Sequence, residues 1–80
     1  MIAQPLTVHF IGPVRRPGLE RKLTIHRQGL HTVEDLLSRL GYSRQEQQVL
    51  QVLVDGARRS HQESIEEGRQ IEILIAIGGG

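Results

Sequence analysis

The sequence closes on Ile75-Ala76-Ile77-Gly78-Gly79-Gly80. Glycine lacks a Cβ, so a run of it can thread a narrow passage and lay its backbone against another surface. The one reactive group such a tail offers is its terminal α-carboxylate, whose unperturbed pKa of roughly 3.5 leaves it ionised at neutral pH. A carboxylate is a poor acyl donor until a partner activates it, so chemistry at Gly80 is chemistry done with a second protein. The plain alternative is a frayed end. Against it stands Gln70 to Ile77, a strand signal that runs into the glycines with no polar spacer. The expectation is a tail held out from a rigid strand end, as a presented substrate is.

Other chemistry finds less support. The four histidines, His9, His26, His31 and His61, are not spaced i to i+4 on one helix, and there is no cysteine, so no metal site is expected. His9 and His26 read as cross-strand neighbours on an exposed sheet face. No base is oriented toward a hydroxyl as a Ser-His-Asp arrangement needs. Glu66 and Glu67 are adjacent in a loop, so they diverge and are not paired acids. The glycine run is no phosphate loop, because no helix follows it to receive an anion. Arg15, Arg16, Arg21 and Lys22 are suited to phosphates, but Phe10 and Tyr42 are the only aromatic residues, which leaves base stacking without a platform. The chain is expected to bind no nucleic acid and to be no enzyme by itself.

Eighty residues make one domain near the lower end of what folds unaided. The absence of cysteine removes disulfides and any relay through a thiol of this chain. No apolar run approaches the roughly 20 residues of a membrane helix, and the first residues lack the pattern of a signal peptide. A soluble, cytoplasmic protein with no membrane partner is expected. The net charge is +1, but unevenly spread: Arg15, Arg16, Arg21, Lys22 and Arg27 lie in the first part, and Glu63, Glu66, Glu67 and Glu72 in the last. Such asymmetry is either ordinary solvated surface or a charged docking face.

The elements that must hold the tail follow from periodicity. Leu6-Thr7-Val8-His9-Phe10-Ile11 alternates with period two and reads as a half-buried strand. Gly12-Pro13 ends it, and a long, basic and exposed connection is expected before pairing resumes at Leu19 or Arg21 and runs to His26. Thr32 caps a helix, with Asp35 completing a capping box and Glu34 adding negative charge to the first turn. Val33, Leu36, Leu37 and Leu40 form its apolar stripe, and Gly41 its left-handed C-terminal cap. Tyr42 to Gln48 reads as polar, with a helical turn at Ser43 to Glu46. Leu50, Val52 and Val54 share one face of a third strand. Asp55-Gly56 is a tight turn, Ala57-Arg58-Arg59 a short return strand, and Ile65 the apolar anchor of a polar stretch ending at Glu67-Gly68. Ile71 to Ile75 is so apolar that it should be covered on both faces or central in its sheet. The order is strand, strand, helix, strand, strand, strand: an α+β mixed sheet with one main helix on one face.

With these elements in order, the chain resembles the ubiquitin-like sulfur carriers of the β-grasp fold, namely the thiamine-pathway carriers and the small subunit of molybdopterin synthase. The resemblance spans nearly the whole chain. It rests on Val52-Leu53-Val54-Asp55-Gly56, on Glu67-Gly68-Arg69-Gln70-Ile71-Glu72-Ile73-Leu74, and on the glycine tail. It implies a β-grasp domain over residues 1–77, with a mixed four- to five-stranded sheet, and a flexible glycine tail over 78–80. It further implies that an adenylating enzyme of the ubiquitin-activating type, using ATP, activates the carboxylate of Gly80. A sulfur donor such as a desulfurase would then give a thiocarboxylate, which an acceptor synthase subunit consumes. No cofactor bound to this chain is expected. Gly78 and Gly79 would thread the partner's channel. Leu53 and Leu74, placed by alternation on the face opposite the helix, would serve partner docking. Gln70 departs from the acidic residue usual before the last strand. The tail resembles the thiamine carriers, whereas the long basic connection from Gly12 to Leu19 resembles the molybdopterin side, so the pathway stays open. The other class of function is a ubiquitin-like protein modifier conjugated through Gly80 to lysines, and a third is an interaction domain with an inert tail.

Overall fold

Alternation sets the first strand: Leu6, Val8 and Phe10 are buried while Thr7 and His9 are only half so, giving β1 over Leu6–Phe10. The computed structural model describes residues 5–16 and 18–75. Along it follow β2 (Lys22–Ile25), α1 (Val33–Arg39), α2 (Arg44–Gln47), β3 (Leu50–Val54), β4 (Ala57–Arg59) and β5 (Gln70–Ile75). The strands form one five-stranded sheet in the order β2-β1-β5-β3-β4. β1 and β5 are parallel, and the other neighbours are antiparallel. This is the mixed sheet and α+β architecture of a ubiquitin-like β-grasp fold. The apolar run of β5 is explained by its central position. It is covered on one face only, since Ile71 and Ile73 are buried while Glu72 and Leu74 are half-buried.

The helix forms where its signals lie. Thr32 Oγ1 accepts from Asp35 N and Asp35 Oδ2 accepts from Thr32 N, a complete capping box. At the other end Gly41 takes φ 98°, its N–H donates to Ser38 O, and Tyr42 N donates to Leu37 O. These two bonds are a Schellman cap, and the positive φ is why glycine stands there. A second capping box, Ser43 with Glu46, starts the single turn α2. Asp55 and Gly56 both have positive φ, 52° and 86°, the type I′ geometry that joins β3 to β4 without splaying them.

Leu6, Val8, Phe10, Leu36, Leu37, Val52, Ile71 and Ile73 fill the space between α1 and the sheet, and Ile65 closes it from the long loop. Leu23 and Ile25 pack on this core from edge strand β2 but stay partly exposed.

Three expectations need correction. The connection after β1 is not an exposed loop throughout, because Val14 is buried in the core. The stretch from Tyr42 to Gln48 is not simply polar. Tyr42 and Gln47 are both buried, and Gln47 Nε2 donates to Tyr42 O and Ser38 Oγ, so its burial leaves no unmet hydrogen bond. Finally, His9 does not face His26. The register sets His9 opposite Lys22 and Leu6 opposite Ile25, which places His26 beyond the paired residues.

Candidate functional site

The site is the end of the sheet from which β5 departs. Leu50 lies opposite Ile75 in the β3–β5 ladder, and on the other side Ile11 N donates to Ile73 O at 2.8 Å. The root of the tail is thus fastened on both flanks, by the start of β3 and by the end of β1. His61 Nε2 lies 3.2 Å from Leu50 O, tying the β4–β5 loop to the same end. Gly78, Gly79 and Gly80, the residues expected to thread and react, lie outside the described residues. The sheet shows where their root is held.

Leu53 and Leu74 fall on the face away from α1, as their alternation requires. They are not direct partners: Leu53 lies opposite Glu72, and Leu74 opposite Gln51. That makes them a diagonal pair, and residues so placed are typically about 7–8 Å apart. Both are half-buried, with Arg58 opposite Leu53 on the β4 side. Among the described residues the exposed large hydrophobic side chain is Val49, 53% accessible, one residue before Leu50 and so next to the tail root.

The β1–β2 connection is pinned at this end by contacts the sequence did not announce. Arg15 Nε lies 2.5 Å from Glu46 Oε2 and Nη2 lies 2.9 Å from Glu46 Oε1, a two-pronged grip on α2. The Tyr42 hydroxyl donates to Arg15 O, and the Arg15 guanidinium stands 5.8 Å from the Tyr42 ring centroid. The Arg15 hydrogen bond, with the Ser43 N–H second, holds the Glu46 carboxyl down at about 2. Burial is the main cause that pushes the Tyr42 phenol up.

The opposite end is acidic and internally satisfied. Asp55 accepts from Gln70 N at 2.9 Å and from Arg69 N at 3.1 Å, and these amides lower its carboxyl below the usual range. It therefore fixes the start of β5. Since the Gln70 backbone carries that contact while its side chain is exposed, the departure at Gln70 costs the fold nothing visible. Arg27 donates to the carbonyls of Ile65, Glu66 and Gly68, clasping the turn before β5. Among the described residues no cluster of three or more His, Cys, Asp or Glu is arranged to hold a metal ion, and no helix is long and apolar enough to cross a membrane.

Arg15, Glu46, Tyr42 and Arg27 were not marked by sequence as positioning residues. The Ser43–Glu46 capping box was legible, but nothing local links Glu46 to Arg15 across the chain.

A small mixed sheet with α1 on one face and a central last strand leading into terminal glycines defines a ubiquitin-like carrier. The ThiS family profile matches residues 8–80, and the chain belongs to that family of sulfur carrier proteins. Membership implies work with an adenylating enzyme and a synthase partner in general terms. No curated protein and no solved structure matches the chain.

Proposed function

We propose that the chain carries sulfur as a thiocarboxylate on Gly80, made and used by partners that act on its tail. The observation that carries this reading is the fastening of the end of β5 at the centre of the sheet, Ile75 by Leu50 and Ile73 by Ile11, with only Ala76 and Ile77 between it and three glycines. A strand clamped on both sides gives the tail a fixed point of departure, and the glycines give it a narrow cross-section.

The chemistry runs in two stages. The Gly80 carboxylate attacks the α-phosphorus of ATP in an adenylating enzyme of the ubiquitin-activating type, and pyrophosphate leaves. The acyl adenylate is now a good acyl donor. A persulfide sulfur from a desulfurase-type donor attacks the acyl carbon and AMP departs. A thiol then cleaves the resulting S–S bond, leaving a thiocarboxylate on Gly80 and a disulfide on the donor side. This chain has no cysteine, so every thiol in the scheme belongs to a partner. An acceptor synthase subunit of thiamine or molybdopterin biosynthesis consumes the sulfur and returns the carboxylate.

ATP–pyrophosphate exchange with a candidate adenylating enzyme tests the first stage. Exchange that depends on this protein and vanishes when its C-terminal carboxylate is amidated supports the reading. Exchange that persists with the amidated protein contradicts it. Isopeptide conjugates on target lysines, with no thiocarboxylate, would instead identify a protein modifier.

A further inference from the structure

The basic residues singled out in the sequence find no use in the carrier chemistry, yet the fold brings Arg15, Arg16 and Arg21 to the tail end of the sheet, with Lys22 one row further in. β1 and β5 run parallel, so the connection leaving β1 and the tail leaving β5 emerge together. Lys22 faces His9 one strand from β1 and two strands from β5, roughly 10 Å across the sheet. Arg21 O accepts from Phe10 N, which fixes Arg21 one row nearer the tail end. Arg16 follows Arg15, whose backbone carbonyl and guanidinium are both held by the Tyr42–Glu46 side, so its position is built rather than loose.

Charge bookkeeping within this connection is one-sided. Glu46 neutralises Arg15. Among the described residues, Arg16 and Lys22 have no ion pair, and Arg21 reaches only Phe10 O at 3.5 Å. All three are exposed. Against Glu20 they leave residues 16–22 with a net charge of +2. The acidic groups Asp55, Glu66 and Glu67 lie at the start of β5, about 17 Å at strand spacing from Ile75. Glu72 stands nearer: it lies opposite His9 in β1, as Lys22 does on the other side, so it is level with Lys22 two strands away, about 10 Å. Both spacings exceed the Debye length of about 8 Å at physiological salt, Glu72 by little, so it is at Arg16 and Arg21, beyond the level of Glu72, that an approaching surface meets mainly positive charge. The aromatic residues that would stack on bases, Phe10 and Tyr42, are buried, which favours a protein partner over nucleic acid.

We infer that Arg16, Arg21 and Lys22 form a basic collar beside the tail root and that it meets an acidic rim around the channel of the adenylating partner. This inference rests on the carrier reading above. The rim and the channel floor then differ in sign: the rim attracts the collar, while the floor accepts the carboxylate of Gly80. Steering of this kind acts on the rate of encounter more than on the final complex.

The test uses an adenylating enzyme with which the wild-type protein supports ATP–pyrophosphate exchange. Association rates are measured over a range of ionic strength for wild type, for the double variant Arg16→Glu, Lys22→Glu, and for Arg69→Glu at the far end as a control. The double variant should associate about tenfold more slowly at low salt and show a flatter salt dependence. Its maximal exchange rate at saturating protein should match wild type, as should the association rate of Arg69→Glu at physiological salt. An unchanged rate and salt slope in the double variant would overturn the collar while leaving the carrier intact. An equal loss in Arg69→Glu would overturn it too, by showing that only net charge matters. Displacement of the enzyme by a duplex oligonucleotide at about 0.15 M salt would reassign the collar to nucleic acid. If no adenylating enzyme exchanges pyrophosphate with the wild type, the carrier reading itself fails and the collar falls with it.

Discussion

Arg15 holds Glu46 through two guanidinium nitrogens, Nε and Nη2, across the gap between the β1–β2 connection and α2. The contact has a sign in pH. The folded-state carboxyl of Glu46 lies at about 2, below its ordinary value of 4.5. A depressed acid adds stability above its unfolded pKa and loses it as pH falls toward the folded one. Glu46→Gln keeps the capping-box geometry but removes the charge. The stability difference between wild type and Glu46→Gln should therefore be greatest near neutral pH and shrink between about 4.5 and 2. Both residues are solvent-accessible, so salt should reduce it as well. Urea midpoints at several pH values check this, and a difference that grows on acidification would contradict the assignment.

Leu36 is fully buried between α1 and the sheet. Leu36→Ala should cost about 2–5 kcal/mol through lost transfer energy and the cavity left behind. In a domain of this size that approaches global unfolding. An unchanged urea midpoint would show that α1 does not pack as described.

Gly68 is confined by close approach. A Cβ there would stand 2.3 Å from Val54 Cγ1, well inside van der Waals contact. Gly68→Ala is expected to destabilise by about 1–3 kcal/mol through overpacking. Val54→Ala in the same chain should return part of that loss, because the obstructing methyl is gone. A double-mutant cycle measures the coupling, and strict additivity would argue against the contact.

On the outer face, Leu53→Asp places a carboxylate between Glu72 on one side and Arg58 on the other, one like charge and one opposite. Leu74→Asp faces the neutral Gln51. Neither enters the core, so thermal unfolding should change little while pull-down by the adenylating enzyme weakens. Undiminished pull-down by both variants would remove Leu53 and Leu74 from the docking surface.

The parts of this fold that read directly from sequence are those with local causes. The stripe Val33, Leu36, Leu37 and Leu40, the caps at Thr32 and Gly41, and the Asp55-Gly56 turn each depend on residues a few positions apart. What stayed hidden depends on partners far along the chain. Val14 is an isolated apolar residue among turn formers, and only the folded chain makes it part of the core. Arg15 reads as one more basic surface residue until Glu46 is brought to it from 31 positions away. The His9–Lys22 register, likewise, depends on the length of the connection between strands, which composition does not fix. The candidate site divides in the same way. The glycine tail is legible because it is a run, whereas the fastening of its root by Ile11 and Leu50 is a property of strand order.

The most direct test of the carrier mechanism is the intact mass of the protein after incubation with ATP, an adenylating enzyme and a sulfur donor. The account predicts a gain equal to one oxygen replaced by sulfur, localised to Gly80 and reversed when the acceptor synthase is added. Deleting Gly80 shortens the tail by one residue, about 3.3 Å, and should abolish the gain. Full thiocarboxylate formation by the deletion variant, or no mass change in the wild type under conditions where a known carrier of the same enzyme is converted, would contradict it.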